Sequence, residues 1–269
     1  MKYKTLNDIK TIIATKKGVL KENFKSALWY VTKYKGFRRD LSQKFGIENI
    51  RPYKFLSWHH NCNYFIGEKP NKEKIFIKTG GIFNLIQREF EVINYISNYD
   101  PLFYKQHLPQ VELIGECCGE SFIAVKFIEG KTLDKMLKEH IITTSQKKML
   151  LEQFIESINL LHSVGIVHRD IRPANIIITG KEKLNLVVID FAFSVSVESN
   201  RFPETEYVKK NKRYIYHLGD GFNPSLLTWD DAYSFRKIAL LFGNDFREEY
   251  SALFKSIEEK IGKLVYKFH

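Results

Sequence analysis

The chain has 269 residues, with 42 Lys+Arg against 31 Asp+Glu for a formal charge of +11, and it is 44% apolar and 14% aromatic. That is enough apolar surface for a packed core and excludes a disordered chain. Three cysteines, Cys62 and the adjacent Cys117 and Cys118, give neither a disulfide framework nor metal-ligand spacing, and predict a reducing, cytoplasmic compartment. No apolar run reaches the roughly 18 residues of a membrane span, and the opening MKYKTLNDIK lacks the apolar stretch of a secretory signal, so neither a span nor export is expected.

The charge is uneven. Residues 1–51 hold 13 Lys+Arg against 4 acids, a surplus of +9, whereas residues 52–269 hold 29 against 27, a surplus of +2. In the basic segment, Thr5 and Asp8 have capping-box spacing before Leu6, Ile9, Ile12 and Ile13, and Gly18 ends that first predicted helix. A second helix is predicted from the stripe Leu20, Phe24, Ala27, Leu28 and Val31, flanked by Lys21, Lys25 and Lys33. After Pro52 the pattern turns to strands at 54–59, 63–67 and 74–78, with a turn at Pro70-Asn71-Lys72-Glu73. A helix over IQREFEVINYI follows, with Glu89, Val92, Ile93 and Ile96 on one face, then strands near 111–116 and 122–127. Helices are predicted over 133–140 and 145–162. A hairpin turning at Gly180-Lys181, an irregular stretch over 192–225, and helices near 229–242 and 246–265 complete the chain.

The chemistry is concentrated in LLHSVGIVHRDIRPANIIIT and NLVVIDFAFS. Asp170 and Asn175 stand five residues apart in a loop after a long helix, and Asp190 follows the hairpin. One carboxylate to take the proton of an attacking hydroxyl, with an amide oxygen and a second carboxylate for Mg²⁺, is the donor set that metal-assisted phosphoryl transfer requires.

These residues resemble the protein-kinase-like superfamily over roughly residues 53–242. HRDIRPAN is similar to the catalytic loop HRDxKPxN, and IDFA stands where DFG is expected. The resemblance implies an α+β, bilobal protein-kinase-like fold, with an antiparallel β-sheet N-lobe carrying one helix, a mainly helical trimmed C-lobe and a helical N-terminal extension. The implied limits are 1–51 for the basic extension, 52–128 for the N-lobe and 129–269 for the C-lobe. By the same resemblance, Lys78 of IFIK contacts the phosphates of ATP and Glu89 is its partner, with Glu91 the alternative on another face. In FIAVKFIEGKTL the adenine-contacting backbone would run from Lys126 to Ile128 after a small gatekeeper, Val125. Asn175 and Asp190 would bind Mg²⁺, Asp170 would be the base, and Arg172 would stabilise charge on the moving phosphoryl group. Asp231 of DDAYSF would brace the catalytic loop, and His168 is expected to be a packed structural residue rather than a base.

Departures from the family pattern separate the possible functions. SWHHNCN replaces the glycine-rich phosphate loop, so Trp58, His59 or Asn61 would have to cover ATP. Arg172 replaces a lysine, Ala192 replaces the DFG glycine, and about 30 residues follow the helix that begins at Asp231. The first expectation is therefore an ATP- and Mg²⁺-dependent kinase of a sugar or glycan hydroxyl, similar to lipopolysaccharide-core kinases. The alternative is a protein Ser/Thr kinase, in which the span from Asp190 to Pro224, carrying Ser194, Ser196, Ser199 and Thr205, would be an activation segment. A nucleotide-binding pseudokinase is the third reading. No nucleic-acid partner is expected. Residues 1–51, with Trp29, Tyr30, Tyr34 and Phe37, either meet an anionic surface at the inner face of a membrane or pack on the N-lobe.

Overall fold

The computed structural model describes residues 27–53, 62–80, 85–210, 212 and 215–268. The helix predicted from Thr5 to Gly18, the strand at 54–59, and Trp58, His59 and Asn61 lie outside the described residues. The chain divides into two compact units, Met1–Ile86 with Glu112–Phe127, and Gln87–Val111 with Ile128–His269.

The first unit is built on a five-stranded sheet. Its strands are β1 (Glu48–Pro52), β2 (Cys62–Glu68), β3 (Lys74–Gly80), β4 (Val111–Cys117) and β5 (Glu120–Lys126). They lie in the order β1-β2-β3-β5-β4, and the pairs β1/β2, β2/β3 and β3/β5 are antiparallel. Helix α1 (Tyr34–Phe45) covers one face, where its Phe37 and Leu41 join Phe65, Ile75, Ile77, Phe122 and Ala124 in a buried cluster. The period-two alternation of β3 sends Ile75 and Ile77 into that cluster, so Phe76 and Lys78 fall on the opposite face. There Tyr64, the cross-strand partner of Lys78, stacks on Phe76 at 5.8 Å between ring centroids.

The basic segment differs from its sequence pattern in two ways. Residues 27–32 are helical, but Leu28 and Val31 of the expected stripe are 51% and 83% exposed. The packed face instead carries Trp29, Tyr30, Tyr34 and Phe37, whose rings lie 5.5–6.0 Å from that of Phe65. Large rings bury more apolar area per residue than Leu or Val, so they take the contact with the sheet. Aromatics offered to a membrane by the sequence are thus occupied inside the unit. Strand β1, which no sequence pattern marked, runs across the composition border at residues 51 and 52 and pairs with β2.

The second unit is mainly helical. From Gln87 onward, helix α2 (Leu85–Tyr99) presents Val92, Ile93 and Ile96 to a large core with Leu150, Leu151, Phe154 and Ile158. A short helix absent from the sequence reading, α3 (Pro101–His107), begins where the Asp100 side chain accepts from Phe103 N and Pro101 occupies the first turn. Helix α4 (Leu133–Lys138) follows the short strand β6 (Lys131–Thr132). The long α5 (Thr144–Ser163) starts with a capping box between Thr143 and Gln146. After β7 (Ile166–Val167) come the hairpin β8 (Ile176–Thr179) and β9 (Asn185–Val188), then β10 (Val195–Ser196), which pairs with β7.

Helix α6 (Glu206–Lys210) and strand β11 (Thr228–Trp229) lie within and just after the stretch expected to be irregular. The two long C-terminal helices predicted by periodicity are instead α7 (Asp231–Ala239), a 3₁₀ turn over Leu240–Phe242, α8 (Asn244–Glu249) and α9 (Ser251–Glu258). Gly243, at φ 110°, stops the first at its expected end, and Tyr250, at φ −107° and ψ 33°, divides the second. The chain then forms β12 (Tyr266–Lys267), antiparallel to β11. No helix among the described residues is long and apolar enough to cross a membrane.

Candidate active site

The loop from His168 to Asn175 leaves β7 and enters β8 within the helical unit. Asp231, buried in the first turn of α7, accepts from His168 N at 2.6 Å and from Arg169 N at 3.3 Å, so this carboxylate satisfies two buried donors of the loop. Burial pushes its pKa up to about 7, against the pull of those two N–H groups. The neighbouring Asp230 caps α7 through Tyr233 N and also accepts from Gly262 N, which ties the helix start to the chain beyond α9.

His168 is fully enclosed, with its ring 4.6 Å from that of Phe191 in an edge-on arrangement. Its Nδ1 accepts from Asp170 N at 3.2 Å, which leaves Nε2–H to donate to Ile189 O at 3.1 Å. Burial lowers its pKa to about 4, so the ring is neutral. Ile189 N in turn donates to Asn175 O at 3.0 Å. Two hydrogen bonds therefore fasten the residue before Asp190 to the catalytic loop. Asp190 itself is held left-handed, at φ 70° and ψ 59°, at the head of the 3₁₀ turn Phe191–Phe193. That conformation is uncommon for a residue with a side chain and is maintained by its surroundings. Ala192, in the middle of the turn, is buried and has no positive φ, so a methyl group fits where the family pattern has glycine.

Asp170 is buried, and each of its oxygens has a donor. Gly219 N binds Oδ1 at 2.6 Å, and Asn175 Nδ2 binds Oδ2 at 2.7 Å. The same Nδ2 donates to Asp170 O at 2.9 Å, which leaves the Asn175 carboxamide oxygen for a cation. Arg172 Nε lies 3.4 Å from Oδ2 as an ion pair, and its side chain is 41% exposed. Burial raises the Asp170 pKa to about 6, assisted by the charge of Asp190 and opposed by Arg172, Gly219 N–H and Asn175. A carboxyl group with its pKa near 6 is suited to accepting a proton near neutral pH. Gly219 is at φ 66°, and a Cβ there would stand 3.0 Å from Arg169 O, so the donor to Asp170 requires a glycine.

Asp170, Arg172, Asn175, Asp190, His168 and Asp231 therefore lie within one unit, joined by hydrogen bonds and charge. Lys78 and Lys126 belong to the sheet unit, where Lys78 is buried and Lys126 is exposed at the end of β5. Glu89, buried on α2, and Ile128 belong to the helical unit. Among the described residues no group of three or more His, Cys, Asp and Glu is arranged to hold a metal. One carboxylate and one amide oxygen instead suit Mg²⁺, which keeps waters and shares its shell with phosphate. Gly219 and Glu204 have no role in the reading of the sequence. The glycine pair in LGDG is the only hint of the first, and nothing marks the second.

The protein kinase domain family matches residues 104–215. A probable myosin light chain kinase of Dictyostelium discoideum is 26% identical over 147 residues, covering 53% of this chain and 45% of its own length. A probable serine/threonine-protein kinase of the same organism, fnkB, is 29% identical over 114 residues, 41% of this chain and 20% of its own. The serine/threonine-protein kinase PknH of Mycobacterium tuberculosis is 29% identical over 93 residues, 34% of this chain and 15% of its own. The chain spans less than half the length of these relatives. The matched stretch carries the loop from His168 to Asn175, and these similarities support the protein-kinase-like superfamily that the residues of that loop resemble.

Proposed function

We propose that the chain is a Mg²⁺- and ATP-dependent phosphotransferase whose acceptor is a Ser or Thr hydroxyl of a protein. The observation that carries the reading is the buried Asp170 carboxylate, fixed by one donor on each oxygen beside Asn175 and Arg172. The relatives named as serine/threonine kinases favour a protein acceptor over the sugar or glycan hydroxyl that the sequence put first.

In this proposal the acceptor hydroxyl approaches the lone pairs of Asp170 that Gly219 and Asn175 leave open. Its oxygen forms a bond to the terminal phosphorus as the bond to the ADP oxygen breaks, and its proton passes to Asp170. No covalent enzyme intermediate is needed. Arg172 offers positive charge to the transferred group, while Lys78, with Glu89 assigned to it, is the proposed contact to the nucleotide phosphates. Asn175 and Asp190 would hold Mg²⁺, which neutralises charge on the phosphate oxygens.

The proposal fixes a pH dependence. Only ionised Asp170 accepts the proton, so kcat should fall about tenfold per pH unit below about 6 and level off above it. Arg172→Met removes a charge that favours the carboxylate and should shift this acid limb to higher pH. Initial rates at saturating ATP between pH 5 and 8 measure both effects, and a flat wild-type profile contradicts the role of Asp170. Label from ATP appearing in Ser or Thr of a generic protein substrate supports the acceptor class, and label confined to a glycan extract overturns it.

A further inference from the structure

Arg169, the middle residue of the HRD triplet, has no part in the proton transfer, yet it is among the most enclosed charges in the helical unit. Its guanidinium lies 5.4 Å from the Trp229 ring and 5.3 Å from that of Tyr266. Its Nε donates to Phe193 O, and its Nη1 donates to Glu204 Oε2. The two side chains of this ion pair are only 1% and 5% exposed. The other Glu204 oxygen accepts from Thr205 N.

A second arginine closes the arrangement. Arg88 donates from Nη1 to Ser194 O at 3.1 Å and from Nη2 to Pro203 O at 2.9 Å. Its charge is felt by both Arg169 and Glu204. Both ends of the segment 193–204 are thus fastened to guanidinium groups, and Glu204, ion-paired with Arg169, acts with Glu91 on the charge of Arg88. Inside the segment, Ser196 N donates to Phe202 O and Phe202 N donates to Ser196 Oγ. Ser194 is fully buried and Ser196 nearly so, which makes both poor targets for a modifying enzyme.

We propose that Glu204 is a positioning residue which, through Arg169, holds the segment 193–205 against the loop bearing Asp170, so that phosphotransfer requires no phosphorylation of that segment. This rests on the phosphotransferase reading. A buried cation whose carboxylate partner is removed is left uncompensated and abandons its site, taking the adjacent Asp170 out of register. A carboxylate supplied by the chain itself makes the ordered state the resting state rather than one that a modification must create.

The test uses the whole chain. Wild-type protein treated with phosphatase until mass spectrometry finds no phosphate should keep its transfer rate within about twofold. Glu204→Gln should lower kcat about 30-fold with the ATP KM little changed, and should speed amide exchange across 194–204. Glu204→Asp, which restores the charge one methylene shorter, should recover most of the rate. Ser199→Ala should leave the rate unchanged. Loss of activity on dephosphorylation, or a Glu204→Gln variant as fast as wild type, overturns the proposal. If wild type transfers phosphate to no acceptor, the phosphotransferase reading fails, while faster exchange of 194–204 in Glu204→Gln still reports the holding role separately.

Discussion

Asp170→Asn should lower phosphotransfer by about 10³-fold while leaving the fold intact. The substitution is isosteric, and the remaining carbonyl oxygen still accepts from Gly219 N, so the loop keeps its anchor. What is lost is the basic oxygen, because a carboxamide accepts no proton at neutral pH. The pH linkage supports retained folding. The Asp170 pKa is raised from 3.8 to about 6, so its contribution to stability is fully present below pH 3.8 and is lost as pH rises through 6. At pH 8 the asparagine escapes the burial penalty borne by the ionised aspartate, which offsets the lost hydrogen bond from Asn175. Steady-state transfer rates and urea unfolding on the same preparations separate the two effects. A variant that keeps more than about a tenth of the rate removes Asp170 from the mechanism.

Asp231→Ala should destabilise the helical unit by about 2–5 kcal/mol, because it strands two buried backbone donors, each worth about 1–3 kcal/mol. The donors are His168 N and Arg169 N, and no solvent reaches them to compensate. The loop they belong to carries Asp170, so activity should fall with stability. Asp231→Asn, whose amide oxygen can still accept one of the bonds, should recover part of the loss. Here too the folded pKa is raised, from 3.8 to about 7, so stability associated with the protonated aspartate is lost as pH rises through 7. Wild type should therefore lose ground to Asp231→Asn between pH 4 and 8. Urea midpoints across that range measure it. A wild-type midpoint that rises relative to Asp231→Asn over the range contradicts the balance of burial and hydrogen bonding described for this carboxylate.

Much of the fold was legible because local patterns agree with tertiary burial. Alternation marked β2, β3, β4 and β5, and the stripe through Glu89, Val92, Ile93 and Ile96 marked the buried face of α2. Failures came where two local signals competed. The Leu28 and Val31 stripe lost to the larger rings of Trp29 and Tyr30, and the periodicity over 246–265 concealed the break at Tyr250. Helix α3 was announced by Asp100-Pro101, but its seven residues are too short for a periodic signal.

In the site, the residues legible in advance are those whose spacing is itself constrained, such as Asp170 and Asn175 across a single 3₁₀ turn. Gly219 and Glu204 were not legible. Their partners lie 49 and 35 residues away, and the contacts exist only once Glu204 and Gly219 have been brought back to the loop that carries Arg169 and Asp170. The same distance hid the part played by Arg169, whose partners Phe193, Glu204, Trp229 and Tyr266 all lie far along the chain.

The most direct measurement is product identification by mass spectrometry after incubating the intact chain with ATP, Mg²⁺ and a mixture of protein and glycan acceptors, alongside Asp170→Asn. The account predicts phosphoserine or phosphothreonine that accumulates with wild type and is essentially absent with Asp170→Asn. Phosphate found only on carbohydrate, or formed equally by the two proteins, contradicts it.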